Sequence, residues 1–95
     1  PNADVAAQIS RTLVTERMVA CVNILPQIRS IYFWEGKVQD DAECLMLIKT
    51  SAETIPALEK RVQELHPYSV PEFVVLKAAH VAEKYAAWLE NTVTS

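Results

Sequence analysis

Apolar positions recur along this chain in two different rhythms. Val5, Ile9 and Leu13 recur at i, i+4 and i+8 with Ala6 beside them, which predicts an amphipathic helix ending near Arg17. Its start is signalled by Pro1-Asn2-Ala3-Asp4: Asn2 can cap, and the charge of Asp4 suits the positive end of the helix dipole. Ala20 to Leu25 is then a compact strand stopped by Pro26, and Ile28 to Trp34 is a second extended stretch. Pro26 marks either a bend in one long strand or a short break between two. Glu35-Gly36 predicts a tight turn in which Gly36 takes a positive φ, and Val38 begins the return strand. From Cys44 to Ile48 successive positions are apolar, which predicts a strand in mid-sheet buried on both faces.

Ile55, Leu58, Val62 and Leu65 return to helical spacing. Capping by Thr54 places Pro56 in the first turn, where its missing donor costs nothing; capping by Ser51 would drive Pro56 against the carbonyl of Ala52. This helix stops at His66-Pro67, because a residue before proline avoids the α region. Phe73 to Leu76 predicts another strand. Val81, Tyr85, Trp88, Leu89 and Thr92 share one face of a C-terminal helix whose start is weakly marked by His80. The resulting order, α-β-β-α-β-α, is one strand short of a ferredoxin-like βαββαβ sandwich. It predicts a further central strand ahead of Pro1, pairing beside Cys44–Thr50, since without it that strand would be an edge.

Composition narrows the picture. A chain of 95 residues is enough for one domain spanning 1–95. With 51% hydrophobic residues on so small a body, part of the apolar surface is expected to be buried against other subunits. A net charge of −3 with no Lys/Arg cluster argues against nucleic-acid binding, and no apolar run approaches a membrane span. No signal-peptide or lipidation pattern is visible, which predicts a cytoplasmic protein. Cys21 and Cys44 sit in apolar stretches and read as reduced core thiols. The absence of any CxxC excludes a zinc finger, and a single glycine excludes a P-loop or GxGxxG site.

Five motifs stand in register along the chain. Ala20-Cys21-Val22-Asn23-Ile24-Leu25-Pro26 resembles the ACVN-x-x-P signature of the CutA divalent-cation tolerance family, and Ser30 to Lys37 is similar to its S-x-Y-x-W-x-G-K hairpin. Met46 to Thr50 resembles its apolar strand ending in Lys-Thr, His66 to Glu72 its HPY-x-x-PE segment, and Tyr85 to Leu89 its closing Y-x-x-W helix. Pro1-Asn2 matches the pair that follows the family's first strand. The resemblance implies a ferredoxin-like α+β domain with an extra C-terminal helix, a homotrimer like the PII proteins, and a role in divalent-cation tolerance with copper binding. The chain departs from the family at Lys77, where proline is usual, and at Val81-Ala82, where a Gly-Asn or Gly-Asp pair is usual. In bacterial members copper ligation is linked to a first-strand cysteine and a His-His pair; here Leu65 holds the first histidine position and only His66 carries over.

His66 is therefore the candidate Cu(II) ligand, since neutral imidazole suits that ion; no metal is expected to be required for folding. The competing reading is a helix-terminal histidine that interacts with the last carbonyls. Cys21, Lys49, Tyr68 and Glu72 are candidate cleft or ligand-binding residues, set against readings as a core thiol for Cys21 and ion-paired or solvated side chains for Lys49 and Glu72. Tyr32 and Trp34, near the tip of a two-stranded ribbon with little cover of its own, are expected at a subunit interface. Asp40-Asp41 reads as a solvated pair in a bend. No Ser-His-Asp or Cys-His-Asn set is visible, so a catalytic role is not expected. The alternative function is a PII-like trimeric signalling or adaptor module that binds a small ligand or partner protein at subunit clefts.

Overall fold

The structure, a computed structural model, describes residues 3–66 and 72–93. Helix α1 spans Ala3–Thr15 and buries Ala6, Ile9, Ser10 and Leu13, the stripe expected from its spacing. The Ser10 hydroxyl donates to the Ala6 carbonyl at 2.7 Å, so the one polar group on the buried stripe is satisfied. The helix closes before Arg17. The Arg17 amide donates to the Val14 carbonyl at 2.9 Å and the Met18 amide reaches back to Leu13 at 3.1 Å. This Schellman arrangement places Arg17 in the left-handed region at φ 58, where glycine is the usual occupant.

Strand β1 runs Cys21–Trp34 and β2 runs Lys37–Lys49, paired antiparallel along their length. The chain does not break at Pro26. The ladder instead shifts register between Leu25 and Ile28, where Pro26 and Gln27 on β1 stand against Cys44 alone on β2. This two-against-one count is a β-bulge, and it absorbs the residue that cannot donate to the ladder. At the far end Glu35 (φ 50) and Gly36 (φ 77) both take positive φ, the geometry whose twist matches a two-residue hairpin. A Cβ at Gly36 would meet nothing within 4 Å. Gly36→Ala is therefore expected to keep the fold and lose about 1 kcal/mol of stability from the left-handed backbone alone, read as a lower denaturant midpoint at unchanged slope.

A 3-10 turn at Ala52–Thr54 leads into α2, Ile55–Leu65, with Thr54 at the N-cap position and Pro56 in the first turn. The Thr54 hydroxyl makes no cap bond and instead meets the Ser51 hydroxyl at 2.8 Å. Helix α2 ends as expected: His66 is extended (φ −81, ψ 134) and its amide closes onto Val62. Helix α3 spans Glu83–Thr92 and buries none of its own residues.

The core lies between the two first helices and one face of the ribbon's base. Ile9, Leu13, Val19, Leu58 and Val62 form its centre, with Val22, Met46 and Ile48 packed against them from the sheet. Glu16 and Arg61 bridge α1 to α2 through two bonds of 2.9 and 2.7 Å.

Two strand expectations are corrected. Cys44–Ile48 is not buried on both faces: Met46 and Ile48 are covered, whereas Leu45 and Leu47 are 38% and 46% exposed. Helices α1 and α2 pack on the Met46 and Ile48 side. Phe73–Leu76 is not a strand among the described residues, because neither β1 nor β2 lies beside it to form a ladder. Only Phe73 reaches the core there, and Val74 to Leu76 are exposed.

Candidate functional site

The bulge decides which side chains share the open face. At the base of the ribbon, Cys21, Asn23 and Leu25 oppose Lys49, Leu47 and Leu45, on the side away from the helices. Strand β2 continues past the bulge without interruption, so Glu43, Asp41, Gln39 and Lys37 stay on that side. Their partners across the ladder are Ile28, Ser30, Tyr32 and Trp34. One extra residue on β1 has switched the parity of its alternation. Tyr32 and Trp34 thus join Leu25, Leu45 and Leu47 on one continuous open face.

Polar contacts on that face are local. The Tyr32 hydroxyl donates to Asp41 Oδ2 at 2.6 Å, and Ser30 donates to Glu43 Oε2 at 2.8 Å. Lys49 Nζ donates to Asn23 Oδ1, with Cys21 directly across the ladder from Lys49. Lys49 thus meets a neutral amide where an ion pair was expected. On the opposite side, Arg29 grips both Asp40 carboxylate oxygens at 2.9 and 2.7 Å, and this bonding holds Asp40 below the ordinary carboxylate range. Asp40 and Asp41 lie within β2, not in a bend, and alternation sends them to opposite faces with separate partners.

The remaining candidates are dispersed. His66 stands at the end of α2, partly buried, and desolvation there lowers its pKa from the usual histidine value. Glu72 is exposed, and Tyr68 lies outside the described residues. Cys21 and Cys44 are free, partly buried thiols, and Cys44 Sγ donates to the Pro26 carbonyl at 3.2 Å inside the bulge. Among the described residues no three His, Cys, Asp or Glu groups are placed to hold a metal ion together. Among the described residues the His66 imidazole is thus not part of such a group, and an imidazole is a poor Cu(II) site by itself. Sequence reasoning missed Asn23 as the Lys49 partner and the acidic partners of Tyr32 and Ser30; a cross-strand register would have found them, but the bulge hides that register.

Helices on one face of an antiparallel sheet, with the other face open, make this an α+β protein of ferredoxin-like architecture. The chain belongs to the CutA1 family: the family model described as "CutA1 divalent ion tolerance protein" matches residues 1–92. A divalent-cation tolerance protein CutA from Thermus thermophilus is 50% identical over 93 residues, covering 97% of this chain and 90% of the relative. Mouse protein CutA is 43% identical over 95 residues, and there the chain spans only 54% of the relative's length. Among solved structures, the Thermus thermophilus divalent cation tolerance protein superposes with a TM-score of 0.95 at 46% identity, covering 99% of this chain and 91% of that one. The "PII-like protein CutA" of a Nostoc species, in apo form, superposes with a TM-score of 0.90 at 36% identity, covering 98% and 90%. Among the described residues no helix is long and apolar enough to cross a membrane.

Proposed function

We propose that the chain works as a homotrimer that takes up divalent cations, with Cu(II) bound weakly through His66. The observation that carries the assembly is the open ribbon face, where Leu25, Leu45, Leu47, Tyr32 and Trp34 are all more than a third exposed. A soluble subunit gains by burying such a surface against copies of itself, and cyclic closure also covers its free strand edges. Bringing copies together would add ligands to the His66 imidazole, for which Glu72, Tyr68 and Cys21 are the candidates. Both thiols are free, which favours a reducing compartment such as the cytoplasm.

The state of His66 supports cation uptake. Copper binds the neutral ring, and burial favours that form, so binding competence extends below the ordinary histidine pKa of about 6.5. Copper affinity is expected to hold at neutral pH and to fall as protons claim the ring on the acid side of that value. Titration calorimetry at neutral pH should show most of this affinity lost in His66→Ala with the assembly intact. Equal affinity in the two proteins would move the site elsewhere.

A second reading, a PII-like module for a small ligand or partner protein, is favoured by Cys21, Asn23 and Lys49 at the base of the open face and by the likeness to the Nostoc PII-like protein. No copper binding in either protein, together with melting shifts across a panel of nucleotides and anions, would select it.

A further inference from the structure

We propose that Arg17 is a latch for the C-terminal helix, and that α3 opens as a separate unit when the latch is released. Arg17 sits where a helix end normally takes glycine, with φ 58 in the left-handed region. A bulky residue held in that region carries strain, which persists only where the surroundings enforce it. What the side chain gains in return is visible at its other end. Its guanidinium crosses to the far end of the chain, where Nε donates to the Thr92 carbonyl at 2.9 Å and a terminal nitrogen donates to the Asn91 carbonyl at 3.0 Å.

Those two carbonyls are among the last of α3, which have no amide partner within the helix. They also form the negative end of its dipole, so a cation is the fitting cap. The planar guanidinium reaches both at once, as an ammonium would not.

Among the described residues little else ties α3 down. It buries no residue of its own, its Tyr85–Trp88 ring pair is 41% and 46% exposed, and the buried Val93 follows it. Residues 72–82, which precede it, have no regular hydrogen-bonded structure. Arg17 therefore also fixes the far end of the stretch that begins at Glu72. One side chain thus joins the C-terminal end of α1 to the C-terminal end of α3.

Hydrogen–deuterium exchange on the full chain tests this. In the wild type, amides of Ala86 to Val93 should exchange more slowly than free peptide. Arg17→Ala should speed them about tenfold, the effect of losing a bond from a charged donor. Arg17→Lys should restore only part of the protection. Arg17→Gly is the decisive variant, because glycine relieves the backbone strain while removing the guanidinium. It should release α3 to the same extent while α1 and the ribbon keep their protection. Unchanged exchange in α3, unprotected α3 in the wild type, or a rise in Arg17→Gly spread evenly over α1, β1 and α3 would each overturn the latch.

Discussion

Leu13→Ala will lower the unfolding free energy by about 3 kcal/mol, the largest single-residue loss expected from the interior. Leu13 is fully buried, and it joins Ile9 on its own helix to Val19, Leu58 and Val62. Truncation removes its transfer energy and leaves a cavity whose cost depends on whether the walls can close. Here they are held apart. The Glu16–Arg61 bridge fixes the spacing of α1 and α2, and β1 and β2 hold each other in register below. For a domain of this size the loss corresponds to a melting point roughly 15 °C lower. A loss below about 1 kcal/mol, measured by urea unfolding at fixed protein concentration, would show that the packing centre lies elsewhere.

Leu47→Lys will separate the subunits without unfolding them. Leu47 lies on the open face at the base of the ribbon, with Asn23 across the ladder, Leu45 beside it on β2 and Leu25 diagonal to it on β1. In one chain it is nearly half exposed, so a lysine there should change the subunit's own stability by no more than about 0.5 kcal/mol. In an assembly that buries this face, each copy would carry an unpaired ammonium into an apolar contact, at a cost of several kcal/mol per charge. Light scattering at micromolar concentration should therefore give three subunits for the wild type and one for the variant, with similar far-ultraviolet circular dichroism. A monomeric wild type would sink the trimer, and a variant of unchanged mass would move the interface off this face.

Much of this fold was legible in the residues, and the failures share a physical cause. The α1 stripe, the Pro56 start of α2, its stop at His66 and the Gly36 turn are all decided within a few residues, so local pattern sufficed. Cys44–Ile48 looked buried on both faces because hydrophobicity records that a side chain wants cover, not whether its own chain supplies it. Phe73–Leu76 failed for a related reason: a strand exists only in its ladder, and a ladder is a property of neighbours. Asp40-Asp41 looked like a solvated pair because adjacency in sequence conceals that strand neighbours point apart. Arg17 gave no signal at all, since the residue type favours neither a left-handed helix end nor a partner more than seventy positions away. Of the candidate site, Cys21 and Lys49 are brought face to face, while His66 stands on another layer of the molecule.

The Pro26–Gln27 bulge has a consequence for how such a ribbon can change over generations. Lengthening or trimming at the Glu35-Gly36 tip adds or removes rungs and leaves every existing side chain on its own side. Deleting one residue from the bulge would instead turn the whole distal half of β1 over, sending Tyr32 and Trp34 to the helix side and Ile31 and Phe33 to the open side. The spacing between Leu25 and Ile28 thus acts as a reading frame for the ribbon, and descent should conserve its length more strictly than the identity of the residues within it.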